Sequence, residues 1–476
     1  MIENFKKGIL YTAIAKYSNV VIQLLTTSIL SRILTPEEYG VIAVVNVFII
    51  FFQMLADFGI GPAIIQSNIL NKNDINNLFG LTIVVGLIIS VIFAFLGIPI
   101  SYIYNDQRYI FICVLLSISL FFYTCTIVPQ ALLLKKVKFK EVNMITLLCN
   151  LLVGISSVIF ALNNFSFYSI ILGNILRSVG LFIGFFYFER IIPSKKIDIK
   201  SFKKISSFSN NQFGFNFINY FARNLDNLLI GRFINPQALG YYEKGYQLSL
   251  YPNQILSQVI TPVIQPLLKD YINKKDIMYK YYLAISKILI LIGLPISIFC
   301  FFNAESIIIF LFGNQWRESI VIFQLLSISI WMQMANSCTG AFYQSADRTD
   351  LLFRVGLVTS LINIIAIIIG IVFNNIKMIA LMLIISFSLS LLINIIIINR
   401  ILFSSQIRIY FFNLKGVSFS SIIYIFVSLV ISINFDNDLI TLILNFGVLL
   451  LIILPSYYLT GEIKFLKSFI KVGIIE

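Results

Sequence analysis

The sequence predicts an all-α polytopic membrane protein of about fourteen transmembrane helices, built as two six-helix lobes related by pseudo-two-fold symmetry plus two C-terminal helices. Three observations predict it. The first is composition: of 476 residues, 59% are hydrophobic and only 12% charged, with apolar runs recurring end to end, which excludes a soluble globule with one core. The second is an internal repeat at a spacing of 200 residues, in which Arg32, Pro36 and Gly40 return as Arg232, Pro236 and Gly240, and Pro62 and Ile64 as Pro262 and Ile264. After a four-residue slip, Gly97-Ile98-Pro99-Ile100-Ser101 returns as Gly293-Leu294-Pro295-Ile296-Ser297. Such a period is too long for a solenoid unit and is of the kind that relates the halves of transporters. The third is charge asymmetry. Connections on one side collect 25 lysines and arginines, and those on the other collect six, namely Arg32, Arg108, Arg232, Lys244, Arg317 and Lys377. This bias places both termini in the cytoplasm and supports an even number of spans.

With about 17 to 25 mostly apolar residues required per span, helices are expected near 8–34, 40–65, 78–104, 110–133, 143–162, 165–188, 208–233, 241–267, 281–303, 318–343, 350–373, 376–399, 416–434 and 439–460. Lys6 and Lys7 before an apolar run imitate a signal peptide, but the run from Gly8 to Leu34 is too long and lacks a small-residue cleavage site, so it is read as the first span. Pro99, Pro129 and Pro295 are expected to kink or end their helices. The first span corresponds to the seventh, so the repeat holds six helices and its copies run parallel. The connection at 189–207, with Ile192-Pro193-Ser194-Lys195-Lys196, links the lobes. The expected division is 1–206 for the N-terminal lobe and linker, 207–412 for the second lobe, and 413–476 for two additional helices and a cytoplasmic tail.

Composition also narrows the chemistry. A net charge of +14 would suggest nucleic acid in a soluble protein, but here the basic residues sit in short connections where they meet anionic lipid, so no nucleic-acid partner is expected. Cys113, Cys125, Cys149, Cys300 and Cys338 lie singly in apolar segments without metal-ligand spacing. No metal and no other cofactor is expected. Histidine is absent, which removes the commonest acid–base group. A membrane glycosyltransferase or polymerase would need a catalytic acid or base on a substantial loop, and the short connections show no paired-carboxylate site; an enzyme is not expected.

Polar residues recur on single helix faces. In the seventh span Gln212, Asn216, Asn219, Arg223 and Asp226 follow helical spacing, and in the eighth so do Gln247, Tyr251, Gln254, Gln258, Thr261 and Gln265. Their repeat partners behave alike, with Lys16, Asn19, Gln23 and Thr26 in the first span and Asn46, Gln53 and Asp57 in the second. Such stripes are costly against lipid and face a neighbouring helix or water. One stripe is read as well by amides bonding an adjacent helix, whereas four at matching positions argue for a hydrated cavity. The candidate cavity residues are Lys16, Asn19, Gln23, Asp57, Arg177, Asn216, Asn219, Arg223, Asp226, Gln254 and Gln258. Plainer roles stand beside this one. Lys16 and Lys287 lie near cytoplasmic ends, and snorkelling is the expected role of Lys287. Asp57 serves as a cap, in lobe packing or at a ligand. Arg177, near mid-helix without a sequence-local acid, needs a partner from another helix or an anionic ligand. Arg223 and Asp226 neutralise each other at i, i+3 or face a ligand. Tyr241, Tyr242, Tyr246 and Tyr251, with Trp316 and Trp331, offer platforms for sugar rings, although for Tyr241 and Tyr242 the interfacial belt is the expected place.

The stretches Leu30-Ser31-Arg32-Ile33-Leu34-Thr35-Pro36-Glu37-Glu38-Tyr39-Gly40, Leu55-Ala56-Asp57-Phe58-Gly59, Asn224-Leu225-Asp226-Asn227-Leu228-Leu229-Ile230-Gly231-Arg232, Ala238-Leu239-Gly240-Tyr241-Tyr242 and Ala346-Asp347-Arg348-Thr349-Asp350 resemble the signature stretches of bacterial polysaccharide exporters. These are the Wzx-type flippases, and the likeness is closest to their teichuronic acid and colanic acid exporter branch. The resemblance runs over nearly the whole chain. It implies the fold of the multidrug/oligosaccharidyl-lipid/polysaccharide superfamily, two six-helix lobes around a central cavity with two extra helices, in the bacterial cytoplasmic membrane. It implies as substrate an undecaprenyl-diphosphate-linked oligosaccharide turned to the outer leaflet, with membrane lipid, a coupling cation and other polysaccharide-assembly proteins as possible partners. A cation-coupled antiporter of the same superfamily is the near alternative; its coupling would more naturally use an unpaired embedded acid, for which only Asp57 and Asp226 are available.

Overall fold

The computed structural model describes residues 2–67, 69–194, 220, 224–268, 271, 274–430 and 435–472, and for 2–13, 258–263, 265–267 and 470–472 the backbone alone. Gln212, Asn216, Asn219, Arg223 and the expected linker from Lys195 to 207 lie outside the described residues. Among the described residues there are helices and no strand. The chain divides into two compact units, Met1–Gly240 and Tyr241–Glu476.

The first unit holds α1 (Ile2–Ile33), α2 (Pro36–Asp57), α3 (Ile60–Gln66), α4 (Lys72–Tyr104), α5 (Arg108–Lys135), α6 (Phe139–Leu162) and α7 (Tyr168–Phe188). It ends with helical residues 224–233, here α8, and the first turn of α9 (Pro236–Leu268). Local chemistry sets the breaks. Thr35 caps α2: its hydroxyl accepts the Glu38 N–H at 3.3 Å while its own N–H donates to the Glu38 carboxylate at 2.7 Å, and Pro36 fits the first turn because its missing N–H is not needed there. Asn71 and Asp74 repeat this reciprocal cap at the start of α4. Phe58 (φ 38°) and Gly59 (φ 73°) are both left-handed, a pair no α-helix accommodates, so the second span breaks into α2 and α3 directly after Asp57. Pro99 and Pro129 are interior to α4 and α5, and Pro295 to α10 (Lys275–Phe302); none of the three ends its helix. In this unit α5 packs on α4 and α7, and α6 packs between α1 and α7.

The second unit continues α9 and α10 with α11 (Ala304–Phe312), α12 (Glu318–Ser327), α13 (Ile330–Ser337), α14 (Thr339–Ser345), α15 (Thr349–Val372) and α16 (Ile376–Ile396). It closes with α17 (Ile407–Asn413), α18 (Lys415–Val430), α19 (Asp438–Leu459) and α20 (Glu462–Val472). Its core gathers on α10, where the Tyr282 ring lies 5.3 Å from Phe342 and 5.8 Å from Tyr410. The tyrosine hydroxyls find partners in that apolar setting: Tyr279 donates to Asn399 Oδ1 at 2.7 Å, and Tyr410 shares a 2.8 Å bond with Ser286.

Nine helices among the described residues are long and apolar enough to cross a membrane, and up to eleven if the bent pairs at α12–α14 and α17–α18 each count as one. The expected fourteen is compatible with this. The expected first, seventh and eighth spans, each polar-striped, are not among these eleven. Two helices, α11 and α20, were not expected. Lys287 also departs from expectation. Its ammonium is paired within the protein, 2.7 Å from Glu462 at the start of α20 and 4.7 Å over the Phe465 ring. The two side chains are only 11% and 4% exposed, because Ile463, Phe465, Leu466 and Phe469 pack α20 onto the core.

Candidate functional site: a polar face in the first unit

Three helices of the first unit carry the candidate residues. On α1, Lys16 and Gln23 are exposed and Asn19 and Thr26 half-buried. At 100° per residue, the exposed apolar residues Ile14, Tyr17, Val21 and Leu25 fall on the opposite side of the helix, so one face suits lipid and the other water. Asn150 on α6 donates to Asn19 Oδ1 at 2.9 Å, holding the polar face of α1 against its neighbour. On α2 the corresponding residues Asn46, Gln53 and Asp57 are each half-buried. Asp57 accepts the Gly61 N–H at 3.2 Å, a carboxylate at the N-terminal end of α3, where the helix dipole favours it. Its capping role is therefore real, and it leaves a carboxylate oxygen for another donor.

The third helix is α7, which carries Arg177. Arg177 is exposed on α7 within the first unit. Among the described residues no carboxylate lies within ion-pair distance of its guanidinium, 4.0 Å. Its electrostatic neighbours are Tyr123 on α5 and Cys149 on α6. The α5–α7 contact that aims it is fixed by the Ser119–Ser178 hydroxyl bond at 2.5 Å and by the Phe122 and Phe182 rings 5.9 Å apart. Tyr123 lies in electrostatic range of both Arg177 and Asp57. A strong donor and an acceptor thus lie in electrostatic range of the Tyr123 hydroxyl, a set suited to an anion with hydroxyl groups attached.

Not every candidate joins it. Asp226 on α8 is buried, 2% exposed, and accepts the Asn227 N–H at 2.9 Å. Gln254, in the second unit, is exposed on α9, and the Gln258 side chain lies outside the described residues. The belt expected of Tyr242 is not observed: Tyr242 and Trp316 are fully buried in the second unit, with Tyr242 stacked on Tyr246 at 5.7 Å and Tyr241 edge-on to Trp316 at 6.1 Å. The signature stretches are largely structural. Thr35 to Glu38 form a cap, and Arg348 forks onto Asp350 with two 2.9 Å bonds at the start of α15. Sequence reasoning missed Asn150 and Tyr123. The first had a signal, since Asn143, Thr146 and Asn150 share a helix face; the second had none.

The sequence matches the family described as polysaccharide biosynthesis protein over residues 29–321, more than half of its length. The chain belongs to that family. It is 24% identical to the teichuronic acid biosynthesis protein TuaB of Bacillus subtilis (strain 168), over 73% of this chain and 72% of that one. It is 23% identical to the lipopolysaccharide biosynthesis protein WzxC of Escherichia coli (strain K12), over 76% and 74% of the two chains. Its fold is that of the lipid II flippase MurJ in an inward closed conformation, with a TM-score of 0.77 at 16% identity over 96% of this chain and 99% of that one. A multidrug MATE transporter in an inward-facing conformation also shares the fold, with a TM-score of 0.62 at 12% identity over 85% and 98%. This polysaccharide-family chain is thus a multi-pass membrane protein of transporter fold.

Proposed function

We propose that this polysaccharide-family protein turns a polyprenyl-diphosphate-linked oligosaccharide from the inner to the outer leaflet of the bacterial cytoplasmic membrane, by alternating access and without a chemical step of its own. Membership of a family with relatives named for teichuronic acid and lipopolysaccharide biosynthesis supports the cargo class, and the fold shared with a lipid flippase supports the process. The observation that carries the reading is Arg177, an exposed cation within a membrane span with no described carboxylate in ion-pair distance. A diphosphate supplies the missing charge, and amides and hydroxyls such as Asn19, Gln23 and Tyr123 supply the hydrogen bonds that sugars lose on leaving water. The polyprenyl tail stays in lipid along apolar faces such as that of α1. Arg223, Asn216 and Asn219 extend the same proposal to the seventh span.

Deleting the gene should leave a lipid-linked oligosaccharide accumulating on the cytoplasmic leaflet; its undiminished appearance in the outer leaflet would sink the transport reading. The basic excess on one set of connections supports cytoplasmic termini. A cysteine at position 198 is therefore expected to react with a thiol reagent only after the membrane is permeabilised. Labelling from outside intact cells would reverse the topology.

A further inference from the structure

The first turns of α2 and α9 cross backbone on backbone within the first unit. A Cβ built on Gly40 would penetrate the Pro236 carbonyl, with its carbon only 2.5 Å away, and one built on Gly240 would penetrate the Pro36 carbonyl, with its carbon 2.8 Å away. Each glycine stands four residues after the proline that opens its helix, and each faces the carbonyl of the other's proline. The contact is reciprocal, as contacts across a two-fold axis are. Both turns are fixed from within, by the Thr35 cap described above and by Asn235, whose Oδ1 accepts the Ala238 N–H at 2.6 Å. No side chain fits the crossing, and the approach sets Cα–H groups against carbonyl oxygens, a weak attraction. It also brings together two helix N-termini, whose partial positive charges repel. Glu37 and Glu38 lie in the first turn of α2, and the first turn of α9 carries no acid. A contact held by close backbone packing and opposed by like dipoles is suited to forming and parting.

We propose that the Gly40–Gly240 crossing is the seal on the outer side of the transport route, closed in this structure and parted when cargo leaves. This rests on the transport reading and on the topology that places residues 32–40 and 232–240 outside. A methyl group at either glycine is incompatible with the closed arrangement and biases the protein toward the open one.

The test uses the full chain with its five cysteines replaced; labelling is read with Gln23→Cys as a reporter, and export in the same chain with Gln23 kept. Gly40→Ala and Gly240→Ala should each raise its labelling by an impermeant thiol reagent added outside, by about tenfold. Gly447→Ala, where an added Cβ meets nothing within 4 Å, should leave labelling unchanged. A second arm spares both glycines: cysteines at 37 and 237, joined by a short cleavable cross-linker, should suppress both labelling at 23 and export, and cleavage should restore both. Unchanged labelling in glycine variants that insert normally, or full export with 37 and 237 joined, would overturn the seal. Altered labelling without any effect on surface polysaccharide would leave the seal standing and remove the transport reading instead.

Discussion

Arg177→Ala is expected to lower export at least about thirtyfold while leaving the protein as stable as before or more so. The two halves of this result come from one cause. A guanidinium within a membrane span costs about 2.5–3.5 kcal/mol to insert by translocon scales, and here no described carboxylate offsets that cost. Removing it therefore relieves the empty protein. In the proposed loaded state the same group meets the diphosphate, and losing a charge-assisted contact of that kind costs about 2–5 kcal/mol. Arg177→Lys is expected to keep part of the activity, because a point charge retains attraction and loses the two-pronged geometry. Surface polysaccharide normalised to inserted protein gives the first readout and the thermal midpoint in detergent gives the second. A variant that loses stability and export together would make Arg177 a packing residue.

Lys287→Met is expected to behave in the opposite way, destabilising the second unit by about 3–5 kcal/mol because it strands the buried Glu462 carboxylate without its partner. Lys287→Met combined with Glu462→Gln should recover most of that loss, since a neutral pair leaves no charge uncompensated. The coupling is structural: Glu462 begins α20, so the single variant should also release that helix, read as faster proteolysis after residue 459. A single substitution as stable as the parent would show that the pair contributes nothing to holding α20.

The contrast between these two cations shows what the sequence could and could not convey. Both stand alone among apolar neighbours in the chain, and nothing local separates them. The acid that claims Lys287 lies on the last helix, brought back by the packing of Phe465 and Phe469, while no described acid comes to Arg177. The segment beyond residue 460 was expected as a tail; the signal that could have found its helix is the helical spacing of Ile463, Leu466 and Phe469. Span positions were legible because hydrocarbon thickness dictates their length, and the polar faces because helical periodicity exposes them. The break after Asp57 was not, since it depends on a left-handed Phe58, which sequence patterns disfavour. The repeat showed that Gly40 and Gly240 are equivalent; that they touch each other is tertiary information.

The mixed character of α1 bears on how the chain is made. A segment carrying Lys16, Asn19 and Gln23 partitions poorly from the translocon into lipid on its own, whereas the span Pro36–Gln66 that follows is strongly apolar. Biosynthesis then favours insertion of the two as a hairpin, with the stronger span drawing the weaker one across. A fusion truncated after α1 should insert less completely than one truncated after α3, as glycosylation mapping would reveal, and equal insertion would show that α1 needs no help. The wetness that a sugar requires during transport is thus bought during synthesis, by making the earliest span dependent on the next.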